Sequence, residues 1–143
     1  MLRPQALSVD LMRVRRAGID TVISLLEPAE AVELGLATQA QACTSAGLTF
    51  LSFPIRDMHL PQPAAFATFT HDIVRRLRGG DAIAIHCHAS IGRSGMLACC
   101  TLSHFGFSAA DALRHTSARR GVPVPDTPAQ TAFIHKMIAD TSL

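Results

Sequence analysis

Three short apolar runs, each rich in β-branched residues, limit this chain to a small set of folds. They are IDTVISLL (Ile19–Leu26), LTFLSFPI (Leu48–Ile55) and DAIAIHC (Asp81–Cys87). Each reads as a strand, and Pro54 suits the end of the second and not its middle. Helical stretches separate them. Pro28 opens a helix of Ala, Glu and Leu that runs through Ala46 and stops at Gly47. RDMHLPQP (Arg56–Pro63) reads as a loop. AAFATFTHDIVRRLR (Ala64–Arg78) sets Phe66, Phe69, Ile73, Val74 and Leu77 on one face, and Gly79-Gly80 ends it. Strands joined by such crossovers pair in parallel. The expected fold class is therefore α/β, with a mainly parallel central sheet flanked by helices.

The two ends of the chain add helices only. Ser8 is placed to cap a helix over Val9–Arg16, closed by Gly18. SGMLACCTLSHF (Ser94–Phe105) is apolar all round, as a buried central helix is. Ser108 caps Ala109–Arg120, Val122–Pro128 is a loop, and Ala129–Asp140 is the last helix. A length of 143 residues fits a single domain over residues 1–143. With 48% hydrophobic and 17% charged residues, the chain is not of the disordered class. A net charge of +2 gives no ground for a nucleic-acid partner. No apolar run approaches the roughly 18 residues of a membrane span. Met1-Leu2-Arg3-Pro4 lacks the apolar region of a signal peptide. The cysteines are Cys43, Cys87, Cys99 and Cys100. Neighbours in sequence pair poorly, and no zinc-like spacing occurs, so a reducing, cytoplasmic setting without a metal is expected. Cys99 and Cys100 read as small core hydrophobes.

Cys87 is different, because it stands at the exit of the third strand. In open α/β sheets, ligands bind beyond the carboxyl ends of strands. The loop His88, Ala89, Ser90, Ile91 and Gly92 then leads into a helix, whose first N–H groups and dipole favour an anion. Curled back on itself, such a loop aims its N–H groups at one point. Arg93 adds a planar fork suited to two phosphate oxygens. The same field favours thiolate at Cys87. The residues thus propose a cysteine nucleophile on the floor of an oxyanion cradle.

His86–Gly95, HCHASIGRSG, matches HCx5R[S/T]G. In its strand–loop–helix setting the chain resembles the cysteine-dependent protein phosphatases, in their compact dual-specificity-like or protein-tyrosine-phosphatase-like form. The resemblance covers most of the chain from about Ile19 onward. It implies that Cys87 attacks phosphorus to form a phosphocysteine, while Arg93 and the loop amides hold the equatorial oxygens. It implies that His86 orients and tunes Cys87, that Ser94 hydrogen-bonds the thiolate as it leaves, and that no cofactor or metal is needed. The leaving oxygen needs a proton. Asp57, in FPIRDMHLP and 30 residues before Cys87, matches the family's general-acid loop. Asp126 is the reserve acid, while Asp81 lies at the far end of its strand. RRGVPVPDTPAQTAFI (Arg119–Ile134) resembles the stretch that brings a Gln to the site, so Gln130 would position the hydrolytic water. Pro123 and Pro125 depart from that pattern, and a Gln on a helix surface is the other reading. His59 reads as a plain surface histidine, with a place at the pocket mouth as the other reading, and Arg119 and Arg120 as a helix terminus or an approach for acidic substrates.

The implied substrate is a phosphorylated protein or peptide. The variable positions His88, Ala89, Ser90 and Ile91 contain no Lys, which leans away from phosphoinositides and inositol phosphates. Three alternatives stand beside it: a sulfurtransferase or arsenate reductase, a phosphate-binding module without turnover, and an inositol-phosphate or lipid phosphatase. The family usually has one or two strands before its first helix. Here either a minimal sheet or a trimmed N-terminus would account for the difference.

Overall fold

The computed structural model describes residues 4–87 and 91–141, which fall into two compact units. The first holds the chain up to Pro54 and from Leu77 to the end of the third strand. Its elements are α1 (Pro4–Arg16), β1 (Thr21–Ser24), α2 (Pro28–Glu33), α3 (Gln39–Ser45), β2 (Thr49–Ser52) and, later in the chain, β3 (Ile83–His86). The strands form one parallel sheet in the order β2-β1-β3. Thr21 pairs with both Thr49 and Ile83, and Ser24 with both Ser52 and His86. The three carboxyl ends are therefore level. β1 is buried along its whole length, as the central strand of a parallel sheet must be, which is why its run is apolar without alternation.

Two expectations are corrected in this unit. The helix begins at Pro4, so Ser8 lies inside it and is not its cap. Leu7 and Leu11, four residues apart, carry the apolar stripe further back and pack with Val22, Cys43 and Leu48 in one core cluster. The stretch Pro28–Ala46 is two helices, not one. Pro28 opens α2 behind a reciprocal capping box between Glu27 and Glu30. Gly35 then takes a φ of 73°, its N–H reaching Val32 O at 3.1 Å while Leu36 N–H reaches Ala31 O at 2.7 Å. That left-handed closure ends α2, and the chain restarts as α3 at Gln39.

The second unit begins at Ile55 and holds α4 (Pro63–Arg78) as far as Arg76. It also holds α5 (Gly92–Ser103), α6 (Ala109–Arg120) and α7 (Pro128–Thr141). α5 packs against both α6 and α7. The rings of Phe66 and Phe133 meet edge to face, with centroids 5.5 Å apart, and tie α4 to α7. Ser108 caps α6 by accepting from Asp111 N–H at 3.1 Å, and Gly121 ends it at a φ of 74°. α5 starts two residues ahead of the expected Ser94, which puts Arg93 inside the first helical turn. Among the described residues, no helix is long and apolar enough to cross a membrane.

Candidate active site

Arg93 is the anchor of the second unit's site. Its side chain is wholly buried, a costly place for a guanidinium unless other groups meet it. Nη1 donates to Ile55 O at 2.9 Å. Nη2 lies 3.4 Å from Asp57 Oδ1. Ile55 is itself buried, and it delivers its carbonyl just where the chain leaves β2 for the acid-bearing loop. Asp57 is 46% exposed, so one end of this ion pair is buried and the other faces water. The turn that carries it is tight. Met58 adopts a φ of 65°, His59 N–H reaches Arg56 O at 3.0 Å, and His59 Nδ1 lies 2.7 Å from Asp57 O.

A second carboxylate reaches the same helix end. Gly92 N–H, the first of α5, donates to Asp126 Oδ2 at 2.8 Å. A carboxylate there is favoured by the free N–H groups and the helix dipole. Gln130, fully buried, holds the loop that carries Asp126. Its Oε1 accepts from Asp126 N–H at 3.2 Å and Thr127 N–H at 3.3 Å, and its Nε2 donates to His59 O at 3.4 Å. The packing leaves no room at Gly92: an added Cβ would lie 2.3 Å from Gln130 Oε1 and 2.7 Å from Asp126 Oδ2. At Gly95, one turn on, a Cβ would meet Val124 Cγ1 at 2.3 Å.

In the first unit, Cys87 follows β3 directly and is partly buried. His86, the last residue of β3, is held at two points. Its carbonyl accepts from Leu25 N–H at 3.0 Å. Its Nε2 lies 3.0 Å from Gln39 Nε2 and 3.2 Å from Gln39 Oε1. Burial lowers the pKa of His86 and favours the neutral ring. Asp81 sits at the other end of the strand, where Thr21 Oγ1 donates to its carboxylate at 3.1 Å.

Asp57, Arg93, Asp126 and Gln130, separate in sequence, thus come together within the second unit, whereas Asp81 belongs to the first. Gln130 is no surface glutamine, since both ends of its amide meet backbone groups. Ser94 is buried beside Arg93 in the first turn of α5, and Ile91 precedes that helix. His88, Ala89 and Ser90 lie outside the described residues. Sequence reasoning passed over Gln39 and the carbonyl of Ile55. No residue-type signal marks either. Among the described residues, no three His, Cys, Asp or Glu side chains cluster as a metal-binding group.

A family model described as polymorphic toxin system, DSP-PTPase phosphatase, matches residues 2–106. That span holds Asp57, His86, Cys87 and Arg93 and ends before Asp126 and Gln130. The chain is 31% identical over 93 residues to protein tyrosine phosphatase domain-containing protein 1 of Mus musculus, covering 59% of this chain and 12% of that protein. The chain thus spans only a small part of that relative's length. Kinase associated phosphatase (KAP), in a form whose catalytic-site cysteine is replaced by serine, superimposes with a TM-score of 0.86. Identity is 19%, over 94% of this chain and 77% of that one. PTPMT1 in complex with PI(5)P superimposes with a TM-score of 0.78 at 18% identity, over 93% and 86% of the two chains.

Proposed function

The chain belongs to the DSP-PTPase phosphatase family of polymorphic toxin systems, with the α/β fold of those enzymes, and from that premise we propose that it hydrolyses phosphate monoesters on protein side chains. The observation that carries this reading is the pairing at the head of α5. A buried arginine fork and an aspartate carboxylate lie 3.4 Å apart, on a helix N-terminus suited to an anion.

The residues then take the following parts. The Cys87 thiolate attacks phosphorus, and the P–O bond to the side-chain oxygen breaks as the S–P bond forms. The departing oxygen takes a proton from the Asp57 carboxyl. Arg93 and the N–H groups of the loop His88–Gly92 hold the equatorial oxygens, whose charge shifts most in the transition state. Water then attacks the phosphocysteine, gives its proton to the Asp57 carboxylate, and releases phosphate and thiolate. Ser94 donates to that sulfur as the S–P bond breaks. Gln130 borders the path of the water, and His86 holds Cys87. No metal or organic cofactor enters either step of this scheme. Residues 1–143 are read as one catalytic domain. We assign Asp126 to binding beside the cradle, with the acid role left to Asp57, because its carboxylate accepts from the amide of Gly92.

The test compares a phosphotyrosine peptide with p-nitrophenyl phosphate, in the wild type and in Cys87→Ser, Asp57→Asn and Asp126→Asn. Cys87→Ser is expected to abolish turnover of both. Asp57→Asn is expected to slow the peptide by about 10²-fold or more, and the nitrophenyl ester, whose leaving group needs little help, far less. The same leaving-group dependence in Asp126→Asn, with Asp57→Asn silent, would reverse the two roles. Full activity in Cys87→Ser would end the scheme. A lipid reading stands second, because PTPMT1 shares the fold and is seen with PI(5)P. The absence of Lys among His88, Ala89, Ser90 and Ile91 favours protein phosphate, and PI(5)P turnover in the same assay decides between them.

A further inference from the structure

We propose that Gln39 is a positioning residue for Cys87 and acts through His86; the inference rests on Cys87 being the nucleophile. Gln39 is the first residue of α3 and only 7% exposed. A buried amide needs polar partners. This one meets a histidine 47 residues away, with both amide heavy atoms within 3.2 Å of the ring Nε2. The break at Gly35 is what lets α3 begin at this point. On the other side, Leu25 N–H grips the carbonyl of His86, whose partner across the ladder is Ser24. His86 is thereby fixed at its ring and at its backbone, and the peptide that leaves it is that of Cys87.

The chemistry of the partner matters as much as its place. A glutamine can donate to Nε2 or accept from it, so it serves either neutral tautomer. A carboxylate in its position would draw a second proton onto the ring. Among the described residues, Ser24 faces His86 across the ladder, Leu25 N–H meets its carbonyl and Gln39 from α3 meets its ring. None of them titrates near neutrality. Burial already favours the uncharged imidazole, and Gln39 keeps it so while holding its orientation. The peptide that leads into Cys87 is therefore carried by a residue whose ring is held neutral and fixed, and on this proposal the thiolate depends on that ring being held.

The test uses the full chain and reads Cys87 without turnover. The rate of carboxamidomethylation of Cys87 by iodoacetamide is followed against pH, by mass spectrometry of its peptide. Gln39→Leu keeps the volume and removes both polar atoms. It is expected to move the midpoint of Cys87 alkylation upward by about one unit, which is about tenfold in rate on the acid side. In a His86→Ala background the same substitution is expected to add nothing. Gln39→Glu is expected to raise the titration midpoint of the His86 ring, seen by 15N NMR. Gln39→Met replaces Gln39→Leu if the latter does not fold. An unchanged alkylation profile in a folded Gln39→Leu or Gln39→Met variant, even one of lower Tm, would overturn the proposal. So would an undiminished effect in the His86→Ala background. If Cys87→Ser kept full phosphatase activity, the functional reading would fall while the alkylation result stood, so the two failures are distinguishable.

Discussion

Arg93 and Asp57 share an ion pair but not an environment, and the difference separates stability from chemistry. Arg93 has no exposed surface, whereas its partner is 46% exposed and screened by water. Asp57→Asn keeps the shape of the side chain and leaves the Ile55 carbonyl bond to Arg93 in place. It is expected to change unfolding free energy by less than about 1 kcal/mol in urea titrations, while sharply slowing phosphopeptide turnover. Gly92 behaves in the opposite way. The Cβ of Gly92→Ala would lie 2.3 Å from Gln130 Oε1, and the buried glutamine has its amide committed to Asp126, Thr127 and His59. The substitution is expected to cost about 1–3 kcal/mol by overpacking and to weaken phosphate binding with it. Urea unfolding and inhibition by inorganic phosphate check the two halves. Asp126→Asn still offers Gly92 an oxygen but removes a negative charge from an anion site. A modest fall in the inhibition constant for inorganic phosphate, about threefold, is the expected sign.

At the scale of elements, the break between α2 and α3 is the feature on which the placement of Gln39 against His86 hangs. Gly35→Ala forces an L side chain into a φ of 73°. It is expected to cost about 1 kcal/mol, seen as a lower urea midpoint, and to loosen His86 because Gln39 moves with α3. The break also shows how far the sequence could be read. Strand and helix types follow from β-branched runs and apolar periodicity, and all three strands lie inside the segments that pattern marks. Their lengths do not follow: Ile19 and Leu48 flank strands that begin at Thr21 and Thr49, because pairing and not propensity sets the ends. One glycine within an Ala-, Glu- and Leu-rich stretch does not announce a helix break, since only its positive φ makes it one. In the site, Asp57 and Arg93 are legible as residue types in a recognisable loop setting. Gln39 is not, because a contact across 47 residues leaves no local trace. Gln130 is legible as a residue near the site, but its full burial and its grip on the Asp126 loop come only from packing.

Across the whole molecule, the thiols divide by burial. Cys43, Cys99 and Cys100 are buried, whereas Cys87 is partly buried at a strand end. Burial pushes the Cys43 and Cys99 thiols up, and burial together with neighbouring Cys99 pushes Cys100 up to about 12. Thiol titration of the native chain is expected to show one fast cysteine, and four after denaturation. Each of these raised thiols stabilises the fold fully below its ordinary value of 9.0. That contribution is lost as pH rises above about 9, and for Cys100 over the range from about 9 to about 12, because the unfolded chain releases its protons first. Urea midpoints that fall over this alkaline window, and fall less in Cys100→Ala, check the assignment.

The loop after β2 has a further consequence. Beside Asp57 it leaves Met58 and Leu60 about half exposed, while the arginine it pairs with is sealed inside the first turn of α5. On the proposed scheme, grip on phosphate and choice of what the phosphate is attached to fall to different places, a buried side chain and an exposed loop. The exposed side chains of Met58 and Leu60 can change with less cost to the fold than the buried arginine. A lineage of such chains can acquire new targets by drift in a few surface positions while the anion-holding interior is inherited unaltered.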